Sequence, residues 1–242
     1  INFQAFEEEL KNGVEAVVIC NPHNPIGRVW TDGEMEHIVD LCVQYGVYLL
    51  SDEIHADFGM TRPYTTAGRF EKIHDRLVVY TAISKTFNMA GLGSSCMMIP
   101  NPELKQKISD SYDACWMFGP CDLAFTAMEA AYTHGDAWVD QQLAYLEGNV
   151  ETVNSFVAEH MPGVQVTKHE GTFLMWLDMT CFGKSSQELT SILAKEYGLA
   201  LGDGSHYGTQ ADGFMRLNIG CTRDTLIKGL EQMAMMYDKY VK

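Results

Sequence analysis

Leu77-Val78-Val79-Tyr80-Thr81-Ala82-Ile83-Ser84-Lys85-Thr86-Phe87-Asn88-Met89-Ala90-Gly91-Leu92 opens on an apolar run and passes without a break into a small, polar segment that carries one lysine. The run is short, bounded and rich in β-branched residues, which predicts a buried strand over 77–82. Two more runs behave the same way. A strand is predicted over 16–20, feeding the polar segment 21–27, and another over 47–51, feeding 52–57. A fourth strand is predicted over 94–99, with helical spacing over 32–45 and 102–113. Strands alternating with helices predict parallel strands joined by crossovers. In an open parallel sheet ligands bind beyond the carboxyl ends of the strands, so the segments 21–27, 52–57 and 84–93 are expected to meet at one site.

Beyond residue 121 the pattern changes. Residues 122–161 are helix formers interrupted at Gly135, and Pro162-Gly163 marks a boundary. Strands are then predicted over 164–168, 173–178 and 214–219, with helices over 185–197 and 223–240. The expected organisation is a large domain over 1–135, a linking helix over 136–162 and a small α+β domain over 163–242. No repeat, low-complexity tract or long linker interrupts it. Ile1 is not a start methionine, and residues 2–11 read as a helix entered in mid-domain, so further chain is expected before residue 1.

Composition narrows the function classes. The 242 residues carry a formal net charge of -15 and 46% hydrophobic residues, as in an ordinary globular chain. Such a charge repels phosphate backbones and anionic lipid, and no Lys/Arg cluster offsets it, so neither nucleic acid nor a membrane is an expected partner. No apolar run reaches the roughly 18 residues of a membrane helix. Seven cysteines, at 20, 42, 96, 115, 121, 181 and 221, form no C-x-x-C pair. A cytoplasmic protein with neither disulfides nor a zinc site is expected.

Five side chains carry candidate chemistry. Lys85 follows a strand among small and apolar neighbours, where burial favours the neutral amine and its attack on an aldehyde. Asp52 stands at the end of another strand, where a carboxylate can pair with a protonated pyridine nitrogen. His55 is close enough to share its site. Asn24, between His23 and Pro25 in a segment stiffened by two X-Pro bonds, can donate an amide hydrogen to a phenolate oxygen. Arg216, set in an apolar strand, suits bidentate capture of a carboxylate. Taken singly, Lys85 and Asp52 have commoner structural readings, a solvated lysine and a capping acid; His55 and Arg216 stand evenly between structure and function, the alternative for Arg216 being an internal ion pair; and the alternative for Asn24 is a rigid turn.

In this order the segments Cys20-Asn21-Pro22-His23-Asn24-Pro25-Ile26-Gly27-Arg28-Val29-Trp30, Ser51-Asp52-Glu53-Ile54-His55-Ala56-Asp57, Ser84-Lys85-Thr86-Phe87-Asn88-Met89-Ala90-Gly91-Leu92 and Met215-Arg216-Leu217-Asn218-Ile219-Gly220-Cys221 resemble the fold-type I aminotransferase superfamily, class I/II. Several of them resemble its carbon-sulfur β-lyase branch, the cystathionine β-lyases. The resemblance spans essentially the whole chain, and it implies an α/β, fold-type I large domain with a mainly parallel sheet and an α+β small domain. It implies pyridoxal 5'-phosphate as cofactor, held covalently by Lys85, with Asp52 on the ring nitrogen, Asn24 and His55 facing the 3-hydroxyl, and Arg216 on the substrate carboxylate. His55 stands where many aminotransferases carry tyrosine, which favours the lyase branch.

One departure concerns the phosphate. Eight residues past the lysine, where many relatives place an arginine, this chain has Gly93, so Ser84 and Thr86 are the candidate hydroxyl donors. The family also has, before this point, strands with a phosphate-binding turn and a stacking aromatic ring. Without them weak or absent cofactor binding is expected. The implied reaction removes the Cα proton of a cysteine thioether and gives pyruvate, ammonia and a thiol, in a homodimer. Aminotransfer uses the same residues, and a non-catalytic regulatory domain of the same fold is the rival of another class. A metal hydrolase ranks third, because His23, His55 and Asp57 lack metal-ligand spacing. Segments 202–208 and 171–173 are secondary candidates for the substrate side, the first more simply read as a flexible connection.

Overall fold

The computed structural model describes residues 1–117 and 119–242. They form two compact units, residues 1–23 with 29–139 and residues 24–28 with 140–242.

In the first unit the sheet runs β1 (Ala16–Cys20), β2 (Tyr48–Asp52), β3 (Leu77–Thr81), β4 (Cys96–Met98), in that spatial order. The first three strands are parallel, with Cys20 beside Asp52 and Asp52 beside Tyr80. Their carboxyl ends therefore lie in one row. β4 pairs with β3 in the antiparallel sense, unlike the three strands before it. α1 (Phe3–Lys11) precedes β1, and its Leu10 packs with Leu41 and Val47.

The crossover from β1 to β2 is α2 (Asp32–Tyr45), which starts on a capping box between Thr31 and Glu34 and stops at Gly46 in the left-handed region. It buries Met35, Ile38, Val39 and Cys42, a single stripe at helical spacing. One helical turn, α3 (Ile83–Thr86), follows β3 directly. α4 (Pro102–Ala114) begins with Pro102 behind the Asn101 cap. α5 (Asp122–His134) and α6 (Asp136–His160) are separate helices. A Cβ at Gly135 would stand 2.2 Å from the Phe87 ring and 2.4 Å from the Ala131 carbonyl, so only glycine fits the corner.

The second unit holds an antiparallel sheet of β5 (Gln165–Val166), β6 (Leu174–Asp178), β8 (Phe214–Asn218) and β7 (Gly202–Asp203), in that order across the sheet. α7 (Ser186–Tyr197) enters on a second capping box, Ser185 with Glu188, and α8 (Arg223–Tyr240) closes the chain. Met175, Leu177 and Met215 of the sheet and Leu189, Leu193, Leu230 and Met233 of the helices are fully buried.

Two differences from the sequence reading stand out. The segment 202–208 is ordered: Gly202 pairs with Arg216, and 3-10 turns follow over Gly204–Tyr207. The border between the units falls at 139/140, inside the first turns of α6, and residues 24–28 group with the later part of the chain.

Candidate active site

Asp52 ends β2, and its Oδ1 accepts the Ile54 N–H at 3.2 Å. This local turn holds the half-buried carboxylate, and no hydrogen bond to Oδ2 is made among the described residues. On the neighbouring strand the chain continues four residues past β3 to Lys85, which is also half-buried, on α3. Its turn is braced on both sides. The buried Thr86 hydroxyl donates to Asp57 Oδ2 at 2.6 Å, tying the segment after β3 to the segment after β2. Phe87 stacks on Trp138 with centroids 5.8 Å apart and meets Tyr132 edge-on at 6.0 Å.

His55 is buried against Phe58, ring centroids 6.0 Å apart. Ser84 is half-buried. Of the two hydroxyls flanking the lysine, Thr86 has its only proton on Asp57, so Ser84 is the one left to donate elsewhere.

Beneath this row lies a group the sequence did not single out. Glu53, 2% exposed, accepts from the Ser51 hydroxyl and the Ala67 N–H on Oε1, both at 2.8 Å, and from the Tyr64 hydroxyl on Oε2. Burial holds its carboxyl above the usual carboxylate range, against hydrogen bonds from Ala67, Thr66 and Ser51 that pull the other way. Asn21 works similarly: its Oδ1 accepts the Trp30 N–H and its Nδ2 donates to the Thr65 carbonyl, each at 3.0 Å. These buried hubs fix the loops that leave β1 and β2. Cavities of about 680 and 640 Å³ open in the same unit but are lined by Tyr48, Arg76 and Leu104 at the opposite ends of the strands. Both hollows lie away from the strand ends that carry Asp52 and Lys85.

In the second unit Arg216 occupies the middle of β8, between Trp176 on β6 and Gly202 on β7. A Cβ at Gly202 would stand 3.3 Å from its Nε, so the glycine makes room for the guanidinium. The guanidinium lies over the Tyr207 ring at 5.2 Å, and Nη1 donates to Asn24 Oδ1 at 2.9 Å. No carboxylate lies in ion-pair range of Arg216 among the described residues. Among the described residues the internal ion pair that the sequence left open is not made, and the half-buried guanidinium is chemically able to pair with an anion. Because Arg216 takes the amide oxygen, Asn24 keeps both Nδ2 hydrogens to donate.

The structure thus puts Asp52, His55, Ser84, Lys85 and Thr86 in the first unit and Asn24 with Arg216 in the second. Tyr207 was missed as a single residue, although the segment containing it was marked as a substrate-side candidate. The residue types suit pyridoxal phosphate: an amine for the aldehyde, a carboxylate with a free oxygen for the ring nitrogen, an amide donor for the ring oxygen. No group of three or more His, Cys, Asp or Glu residues among those described could hold a metal ion. No helix among them is long and apolar enough to cross a membrane.

Known proteins are similar to this chain in sequence and fold. The family model "Aminotransferase class I and II" matches residues 1–233. Cystathionine beta-lyase PatB of Bacillus subtilis (strain 168) is 36% identical over 236 residues, covering 96% of this chain and 61% of that protein. Protein MalY of Escherichia coli (strain K12) is 32% identical over 219 residues, 88% of this chain and 55% of that protein. Among solved structures, a PLP-bound putative aminotransferase from Clostridium difficile 630 superposes with a TM-score of 0.94 at 32% identity, over 98% of this chain and 62% of that one. Cystalysin from Treponema denticola, which contains pyridoxal 5'-phosphate, gives 0.93 at 30%, over 100% and 62%. The chain spans about three fifths of the length of these relatives. With the match running from residue 1 to residue 233, the chain belongs to the aminotransferase class I and II family.

Proposed function

We propose that this chain carries the cofactor lysine and the substrate clamp of a pyridoxal-phosphate-dependent carbon-sulfur β-lyase acting on L-cysteine thioethers such as cystathionine. The observation that carries the reading is the placement of Asp52 and Lys85 at the carboxyl ends of adjacent parallel strands. The names of the relatives, cystathionine beta-lyase among them, support the branch.

When bound, pyridoxal phosphate supplies an electron sink for the pair left at Cα. The Lys85 amine would hold the aldehyde and is the base that would take the Cα proton. Asp52 would hold a proton on the ring nitrogen. By the family resemblance, Asn24 and His55 would serve the 3-hydroxyl oxygen, and Ser84 would donate to the phosphate. Arg216 grips the α-carboxylate and sets the rotation about Cα so that the bond to be broken is aligned. From a cysteine thioether the products would be a thiol, pyruvate and ammonia. The same reading makes the whole enzyme a cytoplasmic homodimer, checked by sedimentation and fractionation.

The test uses a polypeptide that includes the portion of the relatives this chain does not span. Titration with pyridoxal phosphate should raise a visible absorbance band that Lys85→Ala abolishes, and cystathionine should give pyruvate with no keto acid added. Turnover that requires a keto-acid acceptor would assign aminotransfer instead. No band in the wild type would leave a non-catalytic domain of the same fold.

A further inference from the structure

Residues 24–28 are gripped at both ends by the second unit. At one end Asn24 accepts from Arg216. At the other, the backbone N–H groups of Glu170 and Gly171 both donate to the Gly27 carbonyl, at 2.7 and 3.0 Å. The Glu170 side chain, 2% exposed, takes Arg28 Nε on Oε2 at 2.8 Å and Lys168 Nζ on Oε1 at 2.9 Å. His169 closes the clasp from beside: a Cβ at Gly27, whose φ is +70°, would stand 2.5 Å from His169 Nδ1. Thr172, the residue whose carbonyl faces His169 Nε2 at 3.0 Å, is itself in the left-handed region and fully buried. A buried carboxylate and a strained turn are costly, and both are spent on holding a five-residue segment whose other end is Asn24.

We propose that Glu170 is a positioning residue: through Arg28 and the Gly27 carbonyl it sets Asn24 against Arg216, so that the amide donor and the carboxylate clamp form one preassembled pair. The proposal rests on the roles given above to Asn24 and Arg216. The geometry of the clasp is independent of them. Glu170 acts through the segment it holds, by way of Arg28 and the Gly27 carbonyl.

The chain itself, without cofactor, is the test material. Nitrogen-15 NMR should resolve the Asn24 side-chain amide, and exchange of the Arg216 guanidinium protons should be slowed. Glu170→Gln removes the charge while keeping the size. It is expected to move the Asn24 amide signals and to speed exchange at Arg216 and in the 24–28 backbone about tenfold, with α7 and α8 changed by less than about twofold. Lys168→Met removes the other cation from the same carboxylate and should leave the Asn24 and Arg216 signals in place. Should Glu170→Gln not fold, Arg28→Met is expected to give the same local loss.

Unmoved Asn24 and Arg216 signals in a folded variant overturn the proposal, as does acceleration spread evenly over the second unit. In cofactor-loaded protein, Glu170→Gln should also shift the pH midpoint of the visible band by about half a unit or more, and Lys168→Met should not. A missing band with the NMR changes intact would sink the lyase reading and leave the positioning role standing.

Discussion

Single residues set the most direct expectations. Glu53 gathers donors from Ser51, Tyr64 and Ala67 without a cation among those contacts. Glu53→Ala strands them in a buried place and is expected to cost about 3 kcal/mol, whereas Glu53→Gln keeps an acceptor and escapes the burial of charge, costing under about 1 kcal/mol. Urea denaturation of the two variants measures the difference. His169 is the acid-sensitive counterpart. Burial lowers its pKa from 6.5 to about 4, so between those values the unfolded chain binds the proton that the folded unit refuses. Stability is therefore whole above about pH 6.5 and drains as pH falls toward 4, by about 2 to 3 kcal/mol. Denaturation midpoints against pH should show this limb flattened in His169→Gln; an unchanged limb would assign the acid loss to other groups.

At the scale of elements, the sequence disclosed most where side chains alone determine the state. β1 and β3 are β-branched runs and were located to within a residue, as were α2 and α7 behind their capping boxes. The antiparallel sense of β4 was not legible, since direction comes from the route of the connection and not from the residues in the strand. β7 was hidden for a related reason: Gly202-Asp203 has no strand pattern and becomes one by pairing with β8 beside Arg216. The break at Gly135 was legible, but its cause, the Phe87 ring, was not. Gly135→Ala should displace that ring from Trp138, costing about 2 to 4 kcal/mol and changing tryptophan emission. Normal emission and stability would show that the corner yields without disturbing the turn that carries Lys85.

For the molecule as a whole, the alternation of strands and helices announced the α/β first unit, and four ordered motifs announced the family. The partner of Asn24 was out of reach, because the contact joins residues 192 apart and nothing local encodes it. The formal charge of -15 carries its own consequence. Self-repulsion should be relieved by screening, so raising sodium chloride from about 0.02 to 0.3 M is expected to raise the melting temperature by a few degrees, read by circular dichroism.

The borrowed segment 24–28 also bears on the order in which the protein is made. Arg28 leaves the ribosome long before Glu170, which follows it by 142 positions, so the later unit cannot finish when its own stretch emerges but must recover five residues synthesised near the start. A cut at the 139/140 border would therefore yield a carboxyl-terminal piece with Glu170 buried opposite no guanidinium from Arg28 and two backbone donors facing no carbonyl. Severing the chain there divides the sequence in two without producing two foldable proteins.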